Sequence, residues 1–127
     1  MKKVLVLLLL MVFSTNVFAE WTATGGDEDM TVYVDFETIK RKGSKVKMWS
    51  VNDYKAVQGE QRYWSGASYD EYDCEEGTIR MLDLYLYSGS MKQGEIIYSH
   101  KNIKEEAESI MPGSIGETTL KIACGKK

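Results

Sequence analysis

Histidine is almost absent from this sequence: His100 is the only one among 127 residues. With no second histidine and no activated nucleophile beside it, histidine-based hydrolase chemistry is not supported. His100 reads as an exposed loop residue rather than a general base or a haem ligand. Cysteine is scarce, with only Cys74 and Cys124, and two thiols with one imidazole supply too few ligands for a zinc site. Long apolar runs are missing too. The longest, Val4 to Phe13, falls well short of the roughly 20 residues a membrane-spanning helix needs. Neither an internal repeat nor a low-complexity segment is visible.

What is present begins with Lys2 and Lys3, the apolar run, and a short polar stretch ending at Val17-Phe18-Ala19. This is the pattern of a secretory signal peptide over residues 1–19, with small side chains where the peptidase reads them and Glu20 as the mature N-terminus. No cysteine adjoins the cut to carry a lipid, so no membrane anchor is expected after cleavage. Removing 19 residues from 127 leaves 108, one domain (20–127) with room for one core. The 16 basic residues, less the two leader lysines, stand against 19 acidic ones, a mature net charge of −5. A nucleic-acid partner would want the opposite balance. The expected location is outside the bacterial cytoplasm, in the periplasm, at the cell surface or secreted.

In such an oxidising compartment an even cysteine count reads as a disulfide, and one chain offers only the pairing Cys74–Cys124. Closing a loop of this length restricts the unfolded chain by about 4 kcal/mol.

The mature chain carries strand signals. Met30 to Asp35 alternates and is rich in β-branched and aromatic residues, after a turn at Gly25-Gly26-Asp27. Lys45 to Val51 alternates again, Val46 and Met48 on one face and Trp49 and Val51 on the other. The polar connector Lys40-Arg41-Lys42-Gly43-Ser44 lies between them, so the two segments are expected to form a hairpin. Tyr63 to Cys74 is a long aromatic strand, and Glu75-Glu76-Gly77 turns the chain. Thr78 to Tyr87 follows, with Leu82, Leu84 and Leu86 on one face and Met81, Asp83, Tyr85 and Tyr87 on the other. Glu95 to Tyr98 is a further strand, and together these make an antiparallel meander.

The last quarter changes period. Ile103, Ala107, Ile110 and Met111 recur at helical spacing, with Asn102 and Glu105 as cap and third residue and Pro112 as stop, so a helix or helical turn is expected there. Ser114-Ile115-Gly116-Glu117 is a second capping box, and Leu120, Ala123 and Cys124 share a helical face before Gly125. Leu120, Ile122 and Cys124 also fit a strand, but the helix is preferred. The fold class is therefore α+β: an antiparallel sheet of about six strands, meander-like, with a C-terminal helix packed on one face and tied by the disulfide.

Two acidic runs, Asp27-Glu28-Asp29 and Asp70 to Glu76, lack the ligand spacing and central glycine of a calcium loop. They read as solvated rims, and nothing in their neighbourhood suggests the sugar cleft that a glycosidase pair would need. No metal, cofactor or catalytic residue is expected. Candidate partner-binding residues are of two kinds. Asp83, Tyr85 and Tyr87 share a strand face whose amphipathic rings suit a protein interface. Lys40, Arg41 and Lys42, in the one dense basic patch of an acidic chain, suit an acidic partner, a glycan sulfate or an anionic membrane. An exposed sheet edge could also recruit a strand from a second copy or a peptide.

Tyr33-Val34-Asp35, Val46 through Lys55, Ser65, Tyr72-Asp73-Cys74, Ser90 through Glu95, Met111 through Ser114 and Ala123-Cys124 form a set whose order and spacing resemble the surface-adhesin protein E family. The resemblance runs from Trp21 to Cys124. It implies an antiparallel sheet carrying a C-terminal helix joined through Cys74–Cys124, adhesion to host extracellular-matrix proteins, and a homodimer as an option. The expected function is a noncatalytic exported binding protein. The alternative is a periplasmic inhibitor or accessory protein of an envelope enzyme.

Overall fold

The computed structural model describes residues 20–125; the expected signal peptide, residues 1–19, lies outside them, as do residues 126–127. The described residues form β1 (Thr22–Gly26), β2 (Met30–Val34), β3 (Lys40–Lys42), β4 (Lys45–Gln58), β5 (Tyr63–Asp73), β6 (Thr78–Tyr87), β7 (Ile96–His100), β8 (Glu108–Ser109) and α1 (Ile115–Cys124). The strands make an open antiparallel sheet in the order β1-β2-β4-β5-β6-β7, with β3 paired to β4 and β8 to β6. The six strands of the main path agree in number with the expected meander, and five of them, β2, β4, β5, β6 and β7, coincide with segments read from the sequence; β1, β3 and β8 carry too little pattern to be read.

Where β2 meets β4 the expectation needs correction. The two pair as foreseen, Tyr33 opposite Val51, but the link between them is not a simple loop. Asp35 accepts a hydrogen bond from the Glu37 N–H at 3.0 Å and starts a short 3-10 turn, Phe36–Thr38. The chain then returns as β3, so the tight hairpin is β3–β4, closed at Gly43 and Ser44 with Lys42 opposite Lys45. At the other end of β2, Gly26 adopts φ 138°, and a Cβ there would overlap the Met30 carbonyl oxygen. Gly26→Ala is expected to destabilise the domain by about 1–3 kcal/mol, read as a lower Tm.

The helix expected over Asn102 to Met111 does not form. Asn102 takes a left-handed φ of 55°, whereas a helix N-cap is extended. The backbone is instead claimed by the sheet: the Ile103 N–H donates to the Leu82 carbonyl at 2.8 Å and the Ile110 N–H to the Gly77 carbonyl at 3.1 Å. Ile103 is buried, while Ala107 and Met111 face solvent. Only Ile103 and Ile110 of the four anchor the extended strap along the edge of β6, so the helical spacing is coincidental.

The second capping box does open a helix. Ser114 Oγ accepts from the Glu117 N–H at 3.2 Å, Glu117 Oε1 accepts from the Gly113 N–H at 3.1 Å, and Gly125 ends the helix at φ 74°. Arg41 donates to the Cys124 carbonyl, setting a cation against the negative end of the helix. Thr119 and Ala123 are buried on the sheet. Ala123 joins Val34, Val46, Met48 and Tyr72 in the core, flanked by Leu120, Ile122, Ile39, Ile79 and Ile110. Full burial of Val34, Val46 and Met48 contributes about 1.5–3 kcal/mol each. The Cys74–Cys124 disulfide, Cα–Cα 5.7 Å, ties the end of the helix to the end of β5.

Candidate binding surface

Strand alternation with this register gives the sheet two unlike faces. On the helix side lie Val32, Val34, Val46, Met48, Ser68, Asp70 and Tyr72. On the other side, rows run across β4, β5 and β6: Lys47, Glu71 and Arg80; Trp49, Tyr69 and Asp83; Val51, Ala67 and Tyr85; Asp53, Ser65 and Tyr87. Arg80 joins the first of these rows because β6 carries a bulge. Tyr69 pairs with Asp83 while Asp70 pairs with Met81, leaving Leu82 as the extra residue. A single inserted residue reverses the parity beyond it. Met81 therefore lies on the helix side, not with Asp83, Tyr85 and Tyr87 as the uninterrupted pattern implied.

The helix-free face is strapped at one end. In the turn after β6, Ser65 Oγ donates to the Gly89 carbonyl at 2.6 Å and accepts from the Lys92 N–H at 3.0 Å. Asp53 Oδ1 accepts from the Met91 N–H at 2.8 Å. These bonds hold Met91 and Lys92 at φ 51° and 63°, a costly backbone for side-chain-bearing residues. Beneath them Ser65, Ala67 and Val51 are fully buried.

Past the strap the face is open and aromatic. Trp49 stacks on Tyr69 with centroids 5.1 Å apart and meets Tyr85 at 6.0 Å. Cations lie against the rings: the Lys101 Nζ is 5.9 Å from the Tyr85 centroid and the Lys92 Nζ 5.1 Å from that of Trp21. A shallow groove of about 270 Å³ runs between Trp21, Trp49, Tyr85 and Tyr87. Burial, then the neighbouring Tyr85, pushes the Tyr87 hydroxyl pKa up.

The sequence candidates divide among these surfaces. Tyr85 and Tyr87 sit in the aromatic groove. Lys40 and Lys42 lie on the same face, opposite Lys47 and Lys45. Arg41, between them, points to the other side and is used at the helix terminus. Asp83 Oδ1 accepts from the Asn102 N–H at 2.9 Å and so fastens the strap on β6. His100 is exposed at the end of β7. Of the acidic runs, Asp27 accepts from the N–H groups of Asp29 and Met30, and Asp73 from those of Glu75 and Glu76, closing two turns. From the sequence, Lys45 belongs to the basic connector and Tyr69 to the aromatic set without either having a face, and nothing singles out Trp49 or Lys47 as a binding residue. The alternation around Val46 and Met48 was the signal that could have placed Trp49 and both lysines on the helix-free face.

Beneath α1 lies Asp70, 3% exposed. Its Oδ2 accepts from Ser68 Oγ at 2.8 Å, and its Oδ1 has no hydrogen-bond partner among the described residues. Burial raises its pKa to about 6 against the opposing pull of the Ser68 and Ser50 hydroxyls. Burial also raises the Tyr72 hydroxyl, with the Asp70 charge adding to it.

These features define a class: a single-sheet α+β domain with one face sealed by a disulfide-tethered helix and the other left to aromatic and cationic side chains. Residues 21–125 match the family described as surface-adhesin protein E, and the chain belongs to that family. Solved structures of Haemophilus influenzae protein E share the fold. The selenomethionine form superposes at a TM-score of 0.59 with 16% identity, covering 87% of this chain and 89% of that one. Crystal form II gives 0.58 and 17%, covering 87% and 91%. No curated protein sequence matches the chain. Among the described residues no helix is long and apolar enough to cross a membrane.

Proposed function

We propose that this protein is a noncatalytic adhesin displayed outside the cell, which binds a protein of the host extracellular matrix through the helix-free face of its sheet. Membership of a surface-adhesin family supports the class. The observation that carries the choice of face is the Trp49–Tyr69–Tyr85 cluster, stacked and only half buried on the side that α1 leaves free. Rigid aromatic side chains bring large contact area at low entropic cost, and they dominate protein interfaces when a polar rim surrounds them. Here Lys47, Lys101 and Asp83 belong to that rim.

Two measurements test the reading. Protease should digest the domain on intact cells, with a periplasmic protein protected in parallel; protection until the outer membrane is opened would sink surface display and direct matrix contact. Tyr69→Ala and Tyr85→Ala in the purified mature domain should each weaken capture of immobilised matrix proteins by about tenfold, a loss typical of interface hot spots. Binding unchanged in both variants would remove this face from the proposal.

A further inference from the structure

We propose that the β3–β4 hairpin carries a binding site for a sulfated glycan chain, built from Lys40, Lys42, Lys45 and Lys47 beside the ring of Tyr69. The inference rests on the surface reading above, since such a glycan would be met outside the cell, and adds a second ligand class to the same face.

The register is what makes these lysines a site rather than a charge run. Lys40 is opposite Lys47 and Lys42 is opposite Lys45, so their Cα atoms mark the corners of a rectangle. Its sides are about 5 Å across the strands and about 7 Å along them. Like charges directly opposite one another in an antiparallel pair are destabilising. Two such pairs side by side oppose the hairpin that holds them, and bound anions would relieve the repulsion.

Two of the lysines have a carboxylate across from β4, Glu71 opposite Lys47 and Asp73 opposite Lys45, but Asp73 Oδ1 is taken by the N–H groups of Glu75 and Glu76. All four lysines are exposed and none forms an ion pair among the described residues; Glu71 is held by Arg80 at 3.1 Å. The patch is not a by-product of general basicity, because acidic residues outnumber basic ones in the chain. The lysines and Arg41 line a cleft of about 520 Å³ that is bounded by Tyr69 and by Glu71, whose carboxylate is held by Arg80. On its far side Tyr69 lines a second cleft with Lys47, Lys104, the paired Arg80 and Asp83, where Lys104 adds one more cation, unpaired among the described residues, to the reach of a longer chain.

The occupant must offer several anionic groups a few ångströms apart and a flat face for an aromatic ring. A sulfated polysaccharide has both. An acidic peptide added as a strand along β3 is disfavoured by the charged side chains of that edge. An anionic membrane would need apolar side chains to insert beside the lysines, and the cleft lining has only Tyr69. A long nucleic acid would meet repulsion from the acidic remainder of the domain.

The test uses the purified mature domain and a heparin oligosaccharide of defined length, with Kd measured by titration calorimetry at low and moderate salt. Wild type should bind, and added salt should weaken binding. Lys42→Gln/Lys45→Gln and Lys40→Gln/Lys47→Gln should each weaken it about tenfold or more, as expected for lost hydrogen bonds to charged groups. Lys55→Gln/Lys121→Gln, with the same change in net charge, should leave Kd within about twofold. Tm should change little in the hairpin variants, because their substitutions remove like-charge contacts between β3 and β4 together with cross-strand attraction to Glu71 and Asp73.

The site is overturned if heparin fails to bind, if desulfated heparin binds equally well, if the hairpin variants bind like wild type, or if polyglutamate or phosphatidylserine vesicles bind more tightly. Matrix-protein capture without heparin binding would reject the glycan site alone. Heparin binding by a domain that is protease-protected on intact cells would reject the surface reading while leaving the lysine site in place.

Discussion

Replacing Asp70 with asparagine should stabilise the domain at pH 7 by up to about 3 kcal/mol, the equivalent of moving a carboxyl from its ordinary pKa of 3.8 to about 6. The side chain sits between the sheet and α1 beside Met30, Ile79 and Ile115, where a charge loses its hydration and only Ser68 returns a direct hydrogen bond. The sign follows from linkage. Because the folded pKa is raised, the ionisation penalty is fully present above about pH 6. It fades as pH falls, since the folded state takes up a proton that the unfolded chain still lacks, and it is gone below about pH 4. The contribution of Asp70 therefore makes wild type more stable at pH 4.5 than at pH 7, on top of the other groups that titrate. In Asp70→Asn that component should vanish. Denaturant unfolding of both proteins across pH 4–7 measures it, and parallel pH profiles would show that the carboxyl is not held up by burial.

The second large effect is expected at the disulfide. Cys74→Ser/Cys124→Ser should lose about 4 kcal/mol of stability and lower Tm by on the order of 20 °C, because the bond closes a loop with a sequence separation of 50. A domain of this size has only about 5–15 kcal/mol in total. The bond also fastens the end of α1 over Val46, Met48 and Tyr72, so its loss should loosen the helix first. Amide exchange should rise in α1 before it rises in β4 and β5, and reductant added to wild type should reproduce both effects. A loss under about 1 kcal/mol would mean that apolar packing alone keeps the helix on the sheet. Both cysteines are changed together so that no free thiol confuses the result.

Each expectation that failed did so for a tertiary reason. Ile103, Ala107, Ile110 and Met111 have helical spacing, yet the open edge of β6 needed hydrogen-bond partners, and an extended strap satisfies them. The alternation of β6 was read without a break, but the bulge at Leu82 moves Met81 to the opposite face. The basic connector was read as one patch, but strand alternation divides it: Arg41 serves the helix, and Lys40 and Lys42 join Lys45 and Lys47. Asp70 stood in an acidic run that looked solvated, and its parity with Tyr72 carries it beneath the helix instead.

From the sequence alone came what local chemistry and the chain's own periodicities dictate. These were the five strands β2, β4, β5, β6 and β7, the capping box at Ser114, the disulfide, and the pairing of a covered face with a free one. The tertiary structure decided which side chains meet. Register, bulges and the direction of a strap depend on contacts between residues far apart in the chain, where a shift of one residue changes the face of every side chain beyond it. That is why the aromatic cluster, the lysine rectangle and the burial of Asp70 emerged only once β3, β4, β5 and β6 lay side by side and α1 covered one face.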